Sequence, residues 1–102
     1  MVPPTSATES KRVAFVVGIG AYDRLPADKQ LKNSLNDAEG VSAKLTEIGF
    51  QVETALNLTR SAFSDKWQNI LNSLSEQETL VLYFSGHGIQ IGGQNYLLPS
   101  DI

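Results

Sequence analysis

The run RVAFVVGIG, residues 12–20, places five consecutive apolar residues directly before a glycine. Because such a run has no polar side, it is typical of a strand that is buried on both faces of a parallel sheet. We therefore predict a first strand at residues 12–17. The run TLVLYF, residues 79–84, has the same character and predicts another buried strand.

An amphipathic helix and a strand follow the first strand in the predicted order. One helical face carries apolar residues at the spacing of an α-helix, namely Leu35, Ala38, Val41, Leu45 and Ile48. Asn36 with Glu39 resembles a capping box, and Gly49 suits the left-handed residue that ends a helix. We predict this helix at residues 36–48, and the alternating run FQVETAL predicts a strand at residues 50–56.

A second helix is predicted after that strand, with Thr59 as its N-cap. Its apolar stripe consists of Phe63, Trp67, Ile70, Leu71 and Leu74. Strands that alternate with helices at these lengths predict an α/β fold, with a parallel sheet flanked by helices. Beyond the third strand, Gly92 and Gly93 lie between two short strand-like runs and predict a β-hairpin. Residues 1–10 carry no periodic apolar pattern, so we expect a flexible lead-in before one domain at residues 11–102.

Composition excludes several classes of function. The 102 residues are 41% hydrophobic, which fits one small core. Eight Lys and Arg against 11 Asp and Glu give a net charge of -3, so we expect no nucleic-acid partner and no membrane partner. We find no signal peptide and expect a cytoplasmic location. The chain has no cysteine, which excludes disulfides and a Cys-ligated zinc site, and we predict no metal and no cofactor.

The two glycine-rich strand exits are the candidate sites, because ligands bind at the carboxyl ends of strands in open α/β sheets. The first exit, VGIGAYD, contains the G-x-G of dinucleotide-binding loops. Asp23 stands where the third glycine of that motif is required, which argues against a nucleotide. The second exit, SGHG, holds the only histidine of the chain, His87.

His87 has a structural and a catalytic interpretation. A histidine at a strand end is often there only to bond a neighbouring carbonyl group. Gly86 and Gly88, however, let the backbone approach another group closely and leave the Gly88 amide accessible. An imidazole beside an accessible amide suits acyl transfer, in which the histidine moves protons and the N–H group stabilises an oxyanion.

Four segments together resemble the caspase-like cysteine peptidases, especially the bacterial metacaspase-like branch. They are RVAFVVGIGAY, LKNSLNDAEGVSAKLTEIGF, YFSGHG and GQNYLLPSD, in this order. The resemblance implies a caspase-like fold in which His87 is the catalytic histidine and the Gly88 amide forms part of the oxyanion hole. It also implies a cysteine nucleophile on the next parallel strand, beyond Ile102. We therefore expect a histidine-bearing part of a truncated domain, inactive by itself.

The resemblance assigns a second residue, Asp37, to substrate binding. In the metacaspase-like and paracaspase branch, the aspartate of a matching "ND" motif lines the S1 pocket and pairs with a substrate Arg or Lys. The structural alternative is that Asp37 complements the dipole of its helix. Caspases proper bind a substrate aspartate through arginines, and Arg24 and Arg60 are the candidates for that role in this chain. The structural alternative for each is a solvated charge on the surface.

Two functions remain open. The first is a cysteine endopeptidase that cleaves a polypeptide after Arg or Lys, with the missing part of the domain as its partner. The second is a non-catalytic caspase-like interaction module. In either case the strand at residues 79–84 has no lysine or proline to protect it as an edge, so we expect a two-fold homodimer, with the hairpin and the LLPSDI tail as the segments suited to domain swapping.

Overall fold

The computed structural model describes residues 12–75 and 78–102. The predicted lead-in at residues 1–10 lies outside the described residues. The elements, in chain order, are β1 (Arg12–Gly18), a short 3-10 helix (Ala27–Lys29), α1 (Ser34–Glu47), β2 (Gln51–Leu56), α2 (Arg60–Ser73), β3 (Thr79–Ser85), β4 (Gly88–Ile91) and β5 (Gln94–Leu97).

The main sheet confirms the predicted α/β fold. Its three strands are parallel in the order β2-β1-β3. β1 is the central strand, and its residues from Val13 to Gly18 are all buried. Gly18 is in register with Leu56 of β2 and with Ser85 of β3, so the three strands end at the same level. The loops that follow them are therefore brought together along one edge of the sheet.

The two helices cover opposite faces of the sheet. Since successive side chains of a strand point to opposite faces, alternate residues of β1 pack against one helix or the other. On one face, the buried cluster contains Phe15 and Val17, and residues of α2 pack against it. The Phe15 ring lies 5.6 Å from the Phe63 ring and 6.3 Å from that of Trp67, between centroids. On the other face, Ala14 and Val16 pack with Ala38 of α1.

The start of α1 corrects the prediction of a capping box at Asn36. The helix begins at Ser34, and the cap residue Asn33 makes no side-chain cap bond. Asn33 has φ -91 and ψ -10, a helical conformation rather than the extended one that a capping side chain requires. The Asp37 amide already donates to the Asn33 carbonyl oxygen at 2.8 Å, so the first turn closes before Asn36. A Cβ atom on Gly18 would lie 2.7 Å from Ala38 Cβ and 2.8 Å from the Ser34 carbonyl oxygen, so glycine lets β1 and α1 approach this closely.

The end of α1 is partly as predicted. Gly49 has φ +101 and follows the last turn, which confirms its role in stopping the helix. The Arg12 guanidinium donates a hydrogen bond to the Ile48 carbonyl oxygen at 2.8 Å. Ile48 is 58% exposed, so the apolar stripe of α1 ends at Leu45 and not at Ile48 as predicted.

The predicted cap of α2 and the predicted hairpin are both confirmed. The Thr59 hydroxyl accepts a hydrogen bond from the Ala62 amide at 3.2 Å. β4 and β5 form an antiparallel pair, and the turn residues Gly92 and Gly93 have φ +56 and +81. Positive φ at both positions is the requirement of a type I′ turn. Among the described residues, no helix has the length and apolar character to cross a membrane.

Candidate functional site

The candidate site lies where the loops after β1, β2 and β3 converge. The Ile19 amide donates to the Ser85 carbonyl oxygen at 2.8 Å, which joins the β1 exit to the β3 exit. Asn57, after β2, has φ +54, and its side-chain oxygen accepts hydrogen bonds from the amides of Gly20 at 2.9 Å and Ala21 at 3.1 Å. These bonds hold the β1 loop against the other two exits, so the backbone around His87 is ordered by all three strands.

The imidazole of His87 is held by a backbone carbonyl. Its Nε2 lies 2.7 Å from the carbonyl oxygen of Lys29, the last residue of the 3-10 helix. A carbonyl oxygen only accepts hydrogen bonds, so Nε2 carries the proton and donates it. In the neutral ring, Nδ1 is then the acceptor. The arrangement leaves one ring nitrogen anchored and the other available as a base.

Tyr22 holds the backbone of the same residue. The His87 amide donates to the Tyr22 hydroxyl at 2.7 Å, and that hydroxyl donates to the Leu98 carbonyl oxygen at 3.0 Å. The Tyr22 and His87 rings also pack at 4.9 Å between centroids. Burial raises the pKa of Tyr22, while the hydrogen bond from the His87 backbone lowers that pKa by less. Because the pKa of Tyr22 is raised above its ordinary value, the hydroxyl keeps its proton and remains a donor.

The two glycines beside His87 are required by close contacts. A Cβ atom on Gly86 would lie 2.9 Å from the Phe84 ring and 2.9 Å from the Tyr22 hydroxyl. A Cβ atom on Gly88 would lie 3.2 Å from the Tyr96 carbonyl oxygen, which is a tight contact. Neither position has the positive φ that other glycines of the chain show. Space, and not backbone conformation, therefore favours glycine on each side of the histidine.

The register of the hairpin decides the direction of the Gly88 amide. Gly88 faces Leu97 in the β4–β5 pair, and the Leu98 amide donates to the His87 carbonyl oxygen at 3.0 Å. This bond flanks Gly88 and Leu97, so they form a non-hydrogen-bonded pair. The Gly88 N–H group therefore points away from β5 and donates to none of the described residues, which leaves it open to a ligand, as the sequence prediction requires.

Asp37 lies on the other face of the sheet, in the first turn of α1. α1 returns antiparallel to β1, which brings its first turn to the edge where His87 lies. Asp37 is exposed and borders an open groove of about 410 Å³ between α1 and β3, to which Val41, Lys44 and Tyr83 also contribute. Within residues 12–75 and 78–102, its carboxylate accepts no hydrogen bond, so it is available to a ligand in the groove.

The other charged candidates lie elsewhere. Arg60 borders an apolar cavity of about 150 Å³ that includes Phe63 and Phe84, on the face that α2 covers, and so does not share the groove of Asp37. Asp101 accepts a hydrogen bond from the Arg60 amide at 2.9 Å and thereby caps the start of α2. Arg24 is exposed in the β1 loop. No group of three His, Cys, Asp or Glu side chains that could hold a metal ion occurs among the described residues.

Sequence reasoning missed three residues of the site, namely Tyr22, Lys29 and Gln30. Tyr22 had a usable signal, because it is the only aromatic residue of the β1 loop. Lys29 contributes a backbone carbonyl, which every residue has, and so left no signal in the sequence. Gln30 acts through hydrogen bonds to the loop backbone, which likewise depend on the path of the chain.

Comparison with known proteins adds two findings. A family model described as "Caspase domain" matches residues 11–102. The chain is also similar to the mouse (Mus musculus) protein "Mucosa-associated lymphoid tissue lymphoma translocation protein 1 homolog", with 28% identity over 90 residues. That similarity covers 88% of this chain and 10% of the mouse protein, so the chain spans about a tenth of the length of this relative.

Proposed function

The chain belongs to the caspase-domain family of peptidases, and from this membership we propose that it supplies the histidine-bearing part of a cysteine endopeptidase. The geometry of His87 is the observation that supports this proposal. Its Nε2 is anchored to the Lys29 carbonyl, its Nδ1 is left as an acceptor, and the open Gly88 amide follows directly in the chain. These are the proton carrier and the oxyanion donor that acyl transfer needs.

The nucleophile in this proposal is a cysteine outside these 102 residues, since the chain contains none. Nδ1 of His87 takes the thiol proton, and the thiolate attacks the carbonyl carbon of the substrate. The Gly88 N–H group donates to the resulting oxyanion. As the C–N bond breaks, the imidazolium returns the proton to the leaving amine and leaves an acyl-enzyme. Water, deprotonated by the same nitrogen, then attacks the acyl carbon of the thioester. The C–S bond breaks, the acid leaves, and the imidazolium returns its proton to the cysteine thiolate. The Lys29 carbonyl holds the ring throughout.

We further propose that Asp37 selects substrates with Arg or Lys before the cleaved bond. Its carboxylate is exposed in a groove at the same edge of the sheet as His87, and no described residue occupies it. The start of α1 favours a negatively charged side chain at this position, and a negative charge complements a substrate cation. A guanidinium can form two parallel hydrogen bonds with such a carboxylate.

Peptide hydrolysis tests this function. We expect the full-length protein to cleave fluorogenic peptides that end in Arg or Lys, and a thiol-alkylating reagent to stop this cleavage. The 102-residue chain alone should show no turnover, because a catalytic group without its nucleophile retains little rate enhancement. Turnover by the chain alone that disappears in His87→Ala would reveal a different nucleophile. A preference for peptides that end in Asp would contradict the role of Asp37.

The absence of cysteine from the chain favours one alternative, a caspase-like interaction module without catalysis. A full-length protein that has no cysteine at the end of the next strand, and that cleaves none of these peptides, would establish this alternative.

We also propose that the 102-residue chain forms a dimer through the outer edge of β3. β2, the other edge, carries Glu53, whose carboxylate bonds Lys66 Nζ at 3.0 Å, whereas β3 has no charged residue and its Leu82 is 39% exposed. An uncharged edge pairs readily with another chain. Light scattering after size exclusion should show a dimer that Leu82→Lys dissociates and that Gln51→Lys, on β2, leaves intact. A monomer at every concentration would refute this proposal.

A further inference from the structure

Gln30 uses every polar group of its side chain to close the β1 loop. Its Oε1 accepts a hydrogen bond from the Tyr22 amide. Its Nε2 donates to the carbonyl oxygens of Tyr22 and Leu25, both at 2.9 Å. A primary amide has two N–H donors, so both are used. The orientation of the amide is therefore fixed, because the flipped amide would face two carbonyl oxygens with its own oxygen.

The two residues that hold His87 are joined through this side chain. Tyr22, which Gln30 bonds directly, binds the His87 amide through its hydroxyl. Lys29, which precedes Gln30 in the chain, binds the imidazole through its carbonyl. The Leu31 amide donates to the Gly20 carbonyl oxygen at 2.8 Å, so the chain on the far side of Gln30 is tied to the same loop.

Apart from Gln30, Lys29 is restrained by the bond between Leu31 and Gly20 and by the bonds within the 3-10 helix, and none of these bonds involves Tyr22. The 3-10 helix has three residues, with hydrogen bonds from the Lys29 amide to the Pro26 carbonyl oxygen at 2.9 Å and from the Gln30 amide to that of Ala27 at 3.3 Å. These bonds are local, and they do not connect the helix to Tyr22. Lys29 itself is exposed, so its side chain does not anchor the turn in the core.

We propose that Gln30 is a positioning residue for His87: by tying residues 22 and 29 together, it aims the Lys29 carbonyl at Nε2 and so holds Nδ1 as the free base. The role of Gln30 in catalysis rests on the proposed function, whereas its effect on the orientation and tautomer of the His87 imidazole does not. Loss of Gln30 frees the ring to rotate and to populate both neutral tautomers.

The test uses the 102-residue chain and the fact that His87 is its only histidine. We compare the unmodified chain with Gln30→Glu. This variant keeps the size of the side chain but replaces the Nε2 group, with its two N–H donors, by a carboxylate oxygen that faces the carbonyl oxygens of Tyr22 and Leu25. Gln68→Glu, at an exposed position on α2, is the matched control because it makes the same change of charge away from the loop. Nitrogen-15 NMR of the imidazole at a pH where it is neutral reports the tautomer, and proton exchange reports the Nε2–H bond.

We expect one slowly exchanging Nε2–H signal in the unmodified chain and in Gln68→Glu, with a coupling across the hydrogen bond to the Lys29 carbonyl carbon. In Gln30→Glu that signal should be lost, while the amides of β1 stay protected from exchange. This separates positioning from a general loss of structure. A slowly exchanging Nε2–H signal that persists in folded Gln30→Glu would overturn the proposal. The absence of this signal from the unmodified chain would also overturn it, and that measurement does not depend on the folding of any variant.

A second measurement separates this proposal from the proposed function. In a full-length protein that cleaves peptides, Gln30→Glu should lower kcat by up to about 10²-fold, the cost of a misplaced catalytic group, and leave KM nearly unchanged. A protein without peptidase activity that still shows the NMR effect would refute the function and retain the positioning role. If Gln30→Glu loses the Nε2–H signal but keeps full activity, catalysis does not need this positioning of His87, and the proposed role of Gln30 in catalysis is overturned.

Discussion

Replacement of His87 by alanine in the full-length protein should lower kcat/KM for Arg-terminated peptides by about 10³- to 10⁴-fold, the upper range for general acid–base catalysis. His87 is the only histidine among the 102 residues, so no other imidazole of the chain can take over the proton transfer. The measurement is steady-state hydrolysis of the two proteins, with active thiol titrated separately.

The fold of this variant should survive, which makes the result interpretable. The bond to the Tyr22 hydroxyl comes from the backbone amide of His87, and alanine keeps that amide. The bond lost is the one from Nε2 to the Lys29 carbonyl. Circular dichroism and the urea midpoint should therefore change little. A loss of activity below tenfold in a folded variant would show that His87 is not the proton carrier.

Neutralisation of Asp37 should have the second large effect. In the full-length protein, Asp37→Asn should reduce kcat/KM for Arg- and Lys-terminated peptides by about 10²- to 10³-fold, because a substrate bound in the groove covers its own cation, which the variant leaves unpaired. Peptides with an uncharged residue at that position should change far less. The measurement is a comparison of kcat/KM across this peptide series.

Glu39→Gln provides the matched control for Asp37. Glu39 is an exposed carboxylate on the same helix, two residues further on, and it does not line the groove between α1 and β3. Its neutralisation should leave kcat/KM within about twofold, as for most surface changes. If Asp37 only complements the dipole of α1, Asp37→Asn should cost about 0.3 to 1 kcal/mol of stability and leave specificity unchanged. That outcome would show that Asp37 stabilises α1 and does not select the substrate.

Local patterns in the sequence predict most elements of the fold. The apolar runs at β1 and β3, the stripe of α2 and the two glycines of the hairpin turn are each contained within a few residues, and the structure has an element at each of them. The caspase-like resemblance is confirmed by the family match over residues 11–102. The roles of His87, Gly88 and Asp37 stay predictions until the assays above are made.

Other features could not be read from local patterns. The first turn of α1 shows this, because Asn36 looks like a cap in isolation, yet the helix begins at Ser34. The same turn packs closely against Gly18 through Ser34 and Ala38, a contact between residues far apart in the sequence. Ile48 likewise fits the apolar stripe of α1 by its spacing, yet it is exposed in the structure.

By itself, the sequence determined that the chain is an α/β domain with a single histidine at the exit of a buried strand, because apolar periodicity and glycine placement act over a few residues. The tertiary structure alone decided what that histidine contacts. The anchor of Nε2 is the carbonyl of Lys29, a group that every residue possesses, and only the path of the β1 loop selects it. That path depends on the bonds of Gln30 within the loop and on bonds that join Asn57 to Gly20 and Tyr22 to Leu98. The last two join residues far apart in the chain, so they leave no local pattern in the sequence.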